Sequence, residues 1–155
     1  MSVAFRRDSD EEHLEPKFEL PIPPGPNLVT KRGYALIEAR HDAIEAKLAT
    51  DLTEDERKKV LRDARYWRHQ LTSAQIAQIP DGKTVAFGTR VTIHRDGNIQ
   101  RLDIVGHDES DPASGRIAFT APLARALIGT EVGDEVDFAG TAEAITVDAV
   151  ELILP

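Results

Sequence analysis

Between Thr30 and Gln78 the apolar residues recur at steps of three and four, and from Thr84 onward they alternate with polar ones. The first rhythm is that of an amphipathic helix and the second that of a half-buried strand. Ile37, His41, Ile44 and Leu48 fall at spacings of four, three and four, an a/d seam with one polar member. Thr30, just after a proline-rich stretch, suits the N-cap of this first helix. TDLTED at 50–55 breaks the rhythm, and Thr53 followed by Glu54, Asp55 and Glu56 predicts the start of a second helix, with its acids at the positive end of the helix dipole. Val60, Ala64, Trp67, Leu71, Ala74 and Gln78 carry that second seam to about Gln78. Two such helices around a short acidic loop predict an antiparallel αα-hairpin with arms of roughly 30 and 37 Å.

Pro80, Asp81 and Gly82 end the helical part. Val85 and Phe87, then Val91 and Ile93, read as strands. Asp96-Gly97 is a hairpin turn leading into Ile99, Leu102 and Ile104. A ten-residue acidic loop, GHDESDPASG, precedes Ile117 and Phe119. Pro122 then opens a short helix closed by Gly129, and Val136, Phe138, Ile145, Val147, Val150, Leu152 and Leu154 supply the last strands. The fold class is α+β: a hairpin followed by a small antiparallel sheet with one short helix. The expected organisation is an acidic, proline-rich arm at 1–29, a coiled-coil hairpin at 30–80 and a β domain at 81–155. Within the arm, Phe18, Leu20 and Ile22 alternate with polar or proline positions, which predicts that 18–22 docks on the folded body along a sheet edge.

Charge sharpens this division. The 155 residues carry a formal charge of −8. The arm holds three basic and six acidic residues, 30–80 ten and eight, and 81–155 six and thirteen. Such a chain is no whole-surface nucleic-acid binder. The absence of cysteine excludes a disulfide scaffold and a thiol nucleophile. No apolar run approaches a membrane span and no secretory signal opens the chain, so a cytoplasmic location is expected. The five histidines lack metal-site spacing, Asp108, Glu109 and Asp111 lack the closing Glu of a calcium loop, and no nucleophile elbow, phosphate loop or dinucleotide fingerprint is present. No catalytic residue or intrinsic cofactor is therefore expected.

Several stretches together resemble the bacterial GreA/GreB-type transcript cleavage factors. Thr30, Gly33 and Ile37 match that family's T-x-x-G-x-x-x-L opening, and Val85, Phe87, Gly88 and Val91 its first strands. Ile104, Val105, Gly106, Asp108, Glu109 and Asp111 match I-V-G-x-D-E-x-D. Pro122, Leu123, Ala124, Ala126, Leu127 and Gly129 match the helix S-P-[LI]-A-x-[AG]-L-[IL]-G, with Ala121 replacing the serine. The resemblance, over about 28–155, implies an N-terminal coiled-coil hairpin and a C-terminal FKBP-like domain. It implies a monomer that binds RNA polymerase at its secondary channel, the hairpin entering the channel and nucleic acid being met only through polymerase. Asp51, Glu54 and Asp55 at the tip would then assist a second Mg²⁺ shared with the polymerase, which hydrolyses its own backtracked transcript. Asp108, Glu109, Asp111, Pro122 and Leu123 would form the polymerase-binding surface.

The tip keeps D-L-x-E in Asp51, Leu52 and Glu54 but departs from the family's G-D-L-x-E-N-A-E-Y at Thr50, Asp55, Glu56 and Arg57. The hairpin is also about twenty residues shorter than the family pattern, roughly 15 Å less reach. A short hairpin on this kind of C-terminal domain resembles the regulator of nucleoside diphosphate kinase, which implies channel occupancy rather than cleavage assistance. Two readings from other classes compete. A peptidyl-prolyl isomerase needs an aromatic-walled pocket, whereas the β half offers only Phe87, Phe119 and Phe138, all expected in the core. An adaptor would use the hairpin for some other protein.

Overall fold

The computed structural model describes residues 19–153, so Phe18, Leu154 and Pro155 lie outside it. The seven strands and three helices follow in the order β1 (Leu28–Val29), α1 (Lys31–Leu48), α2 (Glu54–Ser73), β2 (Gln75–Ile76), β3 (Thr89–Arg95), β4 (Asn98–Val105), β5 (Arg116–Ala118), α3 (Pro122–Leu127), β6 (Glu135–Phe138) and β7 (Thr141–Leu152). No helix among the described residues is long and apolar enough to cross a membrane. Two compact units result. One gathers 19–25 and Ile37–Ser73, the other Pro26–Leu36 and 74–153.

The first unit is the helical hairpin. α2 starts where its cap dictates: Thr53 Oγ1 accepts the Glu56 N–H at 3.2 Å and donates to Glu56 Oε1 at 3.1 Å. Thr50 closes the end of α1 by donating its hydroxyl to the Lys47 carbonyl at 2.7 Å. The seam packs Ile37, Val60 and Ala64 out of solvent, with Ile44, Leu48, Trp67 and Leu71 half-buried. The charged flanks also join the arms. Arg68 grips Glu45 with two nitrogens, the Nη2–Oε2 contact at 2.9 Å. The Arg40 guanidinium sits over the Trp67 ring, 5.9 Å from its centroid. His41 stays half-buried in the seam beside Asp42 and Glu45.

α2 stops at Ser73, five residues before the expected Gln78. Residues 75–77 are taken by a parallel pairing of β2 with β1, in which Gln75 N–H donates to the Asn27 carbonyl at 2.9 Å and Ala77 N–H to the Val29 carbonyl at 3.0 Å. By their lengths of 18 and 20 residues the arms are about 27 and 30 Å long. Of the segment expected to dock along a sheet edge at 18–22, Phe18 lies outside the described residues and 19–22 join no strand; the short strand that follows is β1. Glu19 instead pairs with Arg65, its Oε2 2.9 Å from Arg65 Nε, and Ile22 is exposed.

The second unit is built on a five-stranded sheet of order β5-β4-β3-β7-β6. The expectation of a purely antiparallel sheet needs correction. β5 lies parallel to β4, reached through the 106–115 loop, and only the other pairs are antiparallel. The β3–β4 turn is at the expected place, with Asp96 and Gly97 both at positive φ, 53° and 75°, as a type I′ hairpin requires. Alternation along β3 buries Thr89, Val91 and Ile93 against Leu102 and Ile104 of β4, Ile145 and Val147 of β7, and Ala124 and Leu127 of α3. Residues 84–87 are not a strand. Val85 is instead pinned into the core by two backbone bonds of 2.8 Å to Gly129 and Thr130. The three phenylalanines of this unit are half-buried, with Phe87 and Phe119 edge to face at 5.4 Å and Arg95 over Phe138.

Candidate functional site

At the hairpin end the loop between α1 and α2 is five residues long. Asp51, Glu54 and Asp55 all face solvent there, no ion pair among the described residues ties them down, and Leu52 beside them is half-buried. Glu54 and Asp55 sit in the first turn of α2, where the exposed N–H groups favour carboxylates. The arrangement presents negative charge without enclosing anything. Among the described residues no group of three His, Asp or Glu side chains could hold a metal ion. The tip can therefore contribute oxygens to a metal held by something else, and does not make a complete site itself.

The 106–111 loop does something the sequence reading did not foresee. Asp108, Glu109 and Asp111 do not share a surface. Glu109 is only 5% exposed and turns inward, so it is removed from any docking face. Its Oε1 accepts the Thr30 hydroxyl at 2.5 Å and its Oε2 lies 3.1 Å from Arg32 Nη1. Thr30 Oγ1 in turn accepts the Gly33 N–H at 2.9 Å, which is the helix cap itself. Gly33 has to be glycine for this to close, because a Cβ there would stand 2.9 Å from Glu109 Oε1. A Cβ at Gly106 would stand 2.4 Å from the Leu28 carbonyl oxygen, so β1 crosses the loop at backbone contact. The two distant motifs, T-x-x-G and G-x-D-E, are thus one buried lock that fixes the start of α1 on the second unit. The signal that could have found it was the small residue at Gly33, beside which a cap and a charge of no obvious partner both had to fit.

The remaining candidates differ in exposure. Asp111 is half-buried and organises its own turn, accepting from Ser114 Oγ at 2.6 Å and from Arg116 Nη2 at 3.5 Å. Asp108 is half-buried. Pro122 is exposed at the first position of α3, and Leu123 behind it packs partly on the core. Elsewhere in this unit a mostly apolar groove of about 190 Å³ runs between Thr30–Arg32, Ile76–Pro80, Phe87 and Leu152. Ile76 and Ile79 lie open within it, Ile79 being 79% exposed.

A lock formed from the helix opening and the G-x-D-E loop, a hairpin with an acid-bearing end and a small mixed-sheet unit define a two-part α+β architecture. The family model for the C-terminal part of transcription elongation factor GreA/GreB matches residues 80–152. Over 74 residues the chain is 42% identical to transcription elongation factor GreA of Hyphomonas neptunium, covering 46% of this chain and 47% of the relative. Over 102 residues it is 35% identical to GreA of Maricaulis maris, covering 58% and 65%. With GreA of Phenylobacterium zucineum the identity is 32% over 127 residues, covering 70% of this chain and 78% of the relative. The chain belongs to the GreA/GreB family of transcription elongation factors. It spans about half and about two thirds of the length of the Hyphomonas and Maricaulis proteins.

Proposed function

We propose that this protein regulates transcription elongation by binding bacterial RNA polymerase at its secondary channel, as a monomer, with the second unit docked at the rim and the hairpin placed in the channel. The observation that carries this reading is the hairpin end: three solvent-facing carboxylates, with no ion pair among the described residues, at the turn of two helices in a chain of this family. Asp108, Asp111, Pro122 and Leu123 are the residues proposed to contact polymerase. Glu109 acts at one remove, by holding the first turn of α1 through Thr30 and Arg32.

Of the two roles open to the hairpin, occupancy of the channel is favoured over help with cleavage. The helical arms are about 27 and 30 Å long, while the cleavage role demands carboxylate oxygens within about 2.1 Å of a shared Mg²⁺. The D-L-x-E order of Asp51, Leu52 and Glu54 supports the second role, in which these acids would complete the coordination of an ion that activates water. In either role the chain needs no active site of its own. An FKBP-like β unit acting as a prolyl isomerase is disfavoured, since Phe87 and Phe119 pack on each other and Phe138 lies under Arg95.

The test adds the purified protein to backtracked polymerase complexes. The expected outcome is binding, with no acceleration of transcript shortening. Mg²⁺-dependent shortening that is lost in Asp51→Ala/Glu54→Ala would replace occupancy by cleavage assistance. Failure to bind polymerase would overturn both.

A further inference from the structure

Ile76, Ile79 and Leu152, which are 53%, 79% and 38% exposed, are gathered round the one apolar groove described above, whose lining lies wholly within the second unit. Half-buried Phe87 forms part of its wall. Exposed apolar side chains scattered singly need no explanation, but three that converge on a concavity mark a binding surface. None of Asp108, Asp111, Pro122 and Leu123 lines it, so it is separate from the residues proposed to contact polymerase. Its volume of about 190 Å³ is below the roughly 300 Å³ at which sites for cofactors and other small molecules begin. The space suits a few side chains of a peptide.

Two features say what kind of peptide. The first is the backbone. Gln75 and Ala77 turn their N–H groups to β1, so the N–H and carbonyl of Ile76 between them point the opposite way, off the outer edge of β2. A segment that pairs with that edge places its side chains beside the Ile76 side chain, which itself lines the groove. The second is charge. The chain carries −8, yet among the described residues the charged side chains lining the groove are Lys31 and Arg32, both basic and both exposed. Arg32 is already shared with Glu109, which leaves Lys31 as the cation for a newcomer. We propose that the groove takes an extended, acidic segment of a partner protein. The segment adds to the outer edge of β2, lays alternate apolar side chains against Ile76 and Ile79, and sets a carboxylate beside Lys31.

The probes are short fluorescein-labelled peptides in which leucine alternates with threonine, flanked by aspartate, asparagine or lysine. Binding to the full chain is read by fluorescence anisotropy. The aspartate peptide is expected to bind about tenfold more tightly than the lysine peptide at low salt, with the gap closing at about 1 M salt, where screening falls to about 3 Å. Lys31→Glu, a change at an exposed position, should reverse that order. Ile79→Asn, at a side chain the fold leaves 79% exposed, should weaken all three peptides by about tenfold. Hydrogen exchange of the Ile76 amide should slow when the aspartate peptide is bound. Absence of binding, equal binding of the three peptides, an unchanged order in Lys31→Glu, or an Ile76 amide that the bound peptide leaves unprotected overturns the proposal. So does an Ile76 amide already protected in the free chain, which puts another part of the same chain there, or one protected only as protein concentration rises, which puts a second copy there.

Discussion

Gly33→Ala should change sign with its background. In an ordinary helix interior the substitution stabilises by about 1 kcal/mol, because alanine loses less backbone freedom. Here the new methyl would stand 2.9 Å from Glu109 Oε1 and 3.4 Å from Thr30 Oγ1. The Glu109 carboxylate cannot move aside freely, since Thr30 and Arg32 both hold it and only 3% of its side chain is exposed. Hydrogen bonds to a charged group contribute about 1.5–3 kcal/mol each, and the weaker one, to a half-exposed Arg32, sits at or below the bottom of that range. Losing most of this outweighs the propensity gain, so Gly33→Ala alone should destabilise by about 1–2 kcal/mol. In a Glu109→Ala background the obstruction is gone, and the same substitution should stabilise by about 0.5–1 kcal/mol. The coupling in this double-mutant cycle is then about 2 kcal/mol or more. Urea unfolding of the four proteins, followed by far-ultraviolet circular dichroism, measures it. A Gly33→Ala effect of the same sign and size in both backgrounds would refute the lock.

Gly106→Ala is expected to be harsher, at about 3 kcal/mol, because the obstacle is the Leu28 carbonyl of the backbone, 2.4 Å from the new atom, and a backbone cannot rotate away; the loss of the β1–β2 amide protection in hydrogen exchange would locate the damage. Arg68 holds the Glu45 carboxyl below its ordinary value of 4.5, through its hydrogen bond first and its charge after that. A depressed folded-state value means that the stabilisation is complete above about pH 4.5 and is lost as the pH falls through the lower folded value. Arg68→Ala should therefore cost stability at pH 7, with the difference from the parent chain narrowing steadily in urea melts taken below pH 4.5.

What the sequence made legible was local. Thr30, Thr53, Asp96-Gly97 and Pro122 each act on their immediate neighbours, and the helices, the turn and the short helix begin where these residues place them. The end of α2 was not legible in this way. The seam rhythm continues through Ala74 to Gln78, but the backbone groups of 75–77 pair with a strand some 47 residues earlier in the chain, between Leu28 and Gln75, and that non-local gain outweighs about one and a half more turns of seam. The parallel seating of β5 is likewise a matter of a partner strand and leaves no mark on its three residues. Glu109 was misread for a related reason. A carboxylate in a run of acids resembles a surface group, and its inward turn depends on a hydroxyl and a guanidinium supplied by the start of α1. Glu54 and Asp55 at the hairpin end were legible as first-turn acids of α2 because that placement depends only on Thr53 beside them.

The lock between Thr30 and Glu109 joins positions 79 apart in the chain, and this has a consequence for the order of assembly. Contacts of such separation form late, after the loop between them has been closed at an entropic cost. On a chain made from its N-terminus, the hairpin can zip along its own seam as soon as α2 has emerged, while the first turn of α1 still lacks its carboxylate. The hairpin therefore pairs before the first turn of α1 is held. That hold arrives only with the residues that build the sheet, so a chain cut short before Glu109 would keep two paired helices with an unanchored opening turn.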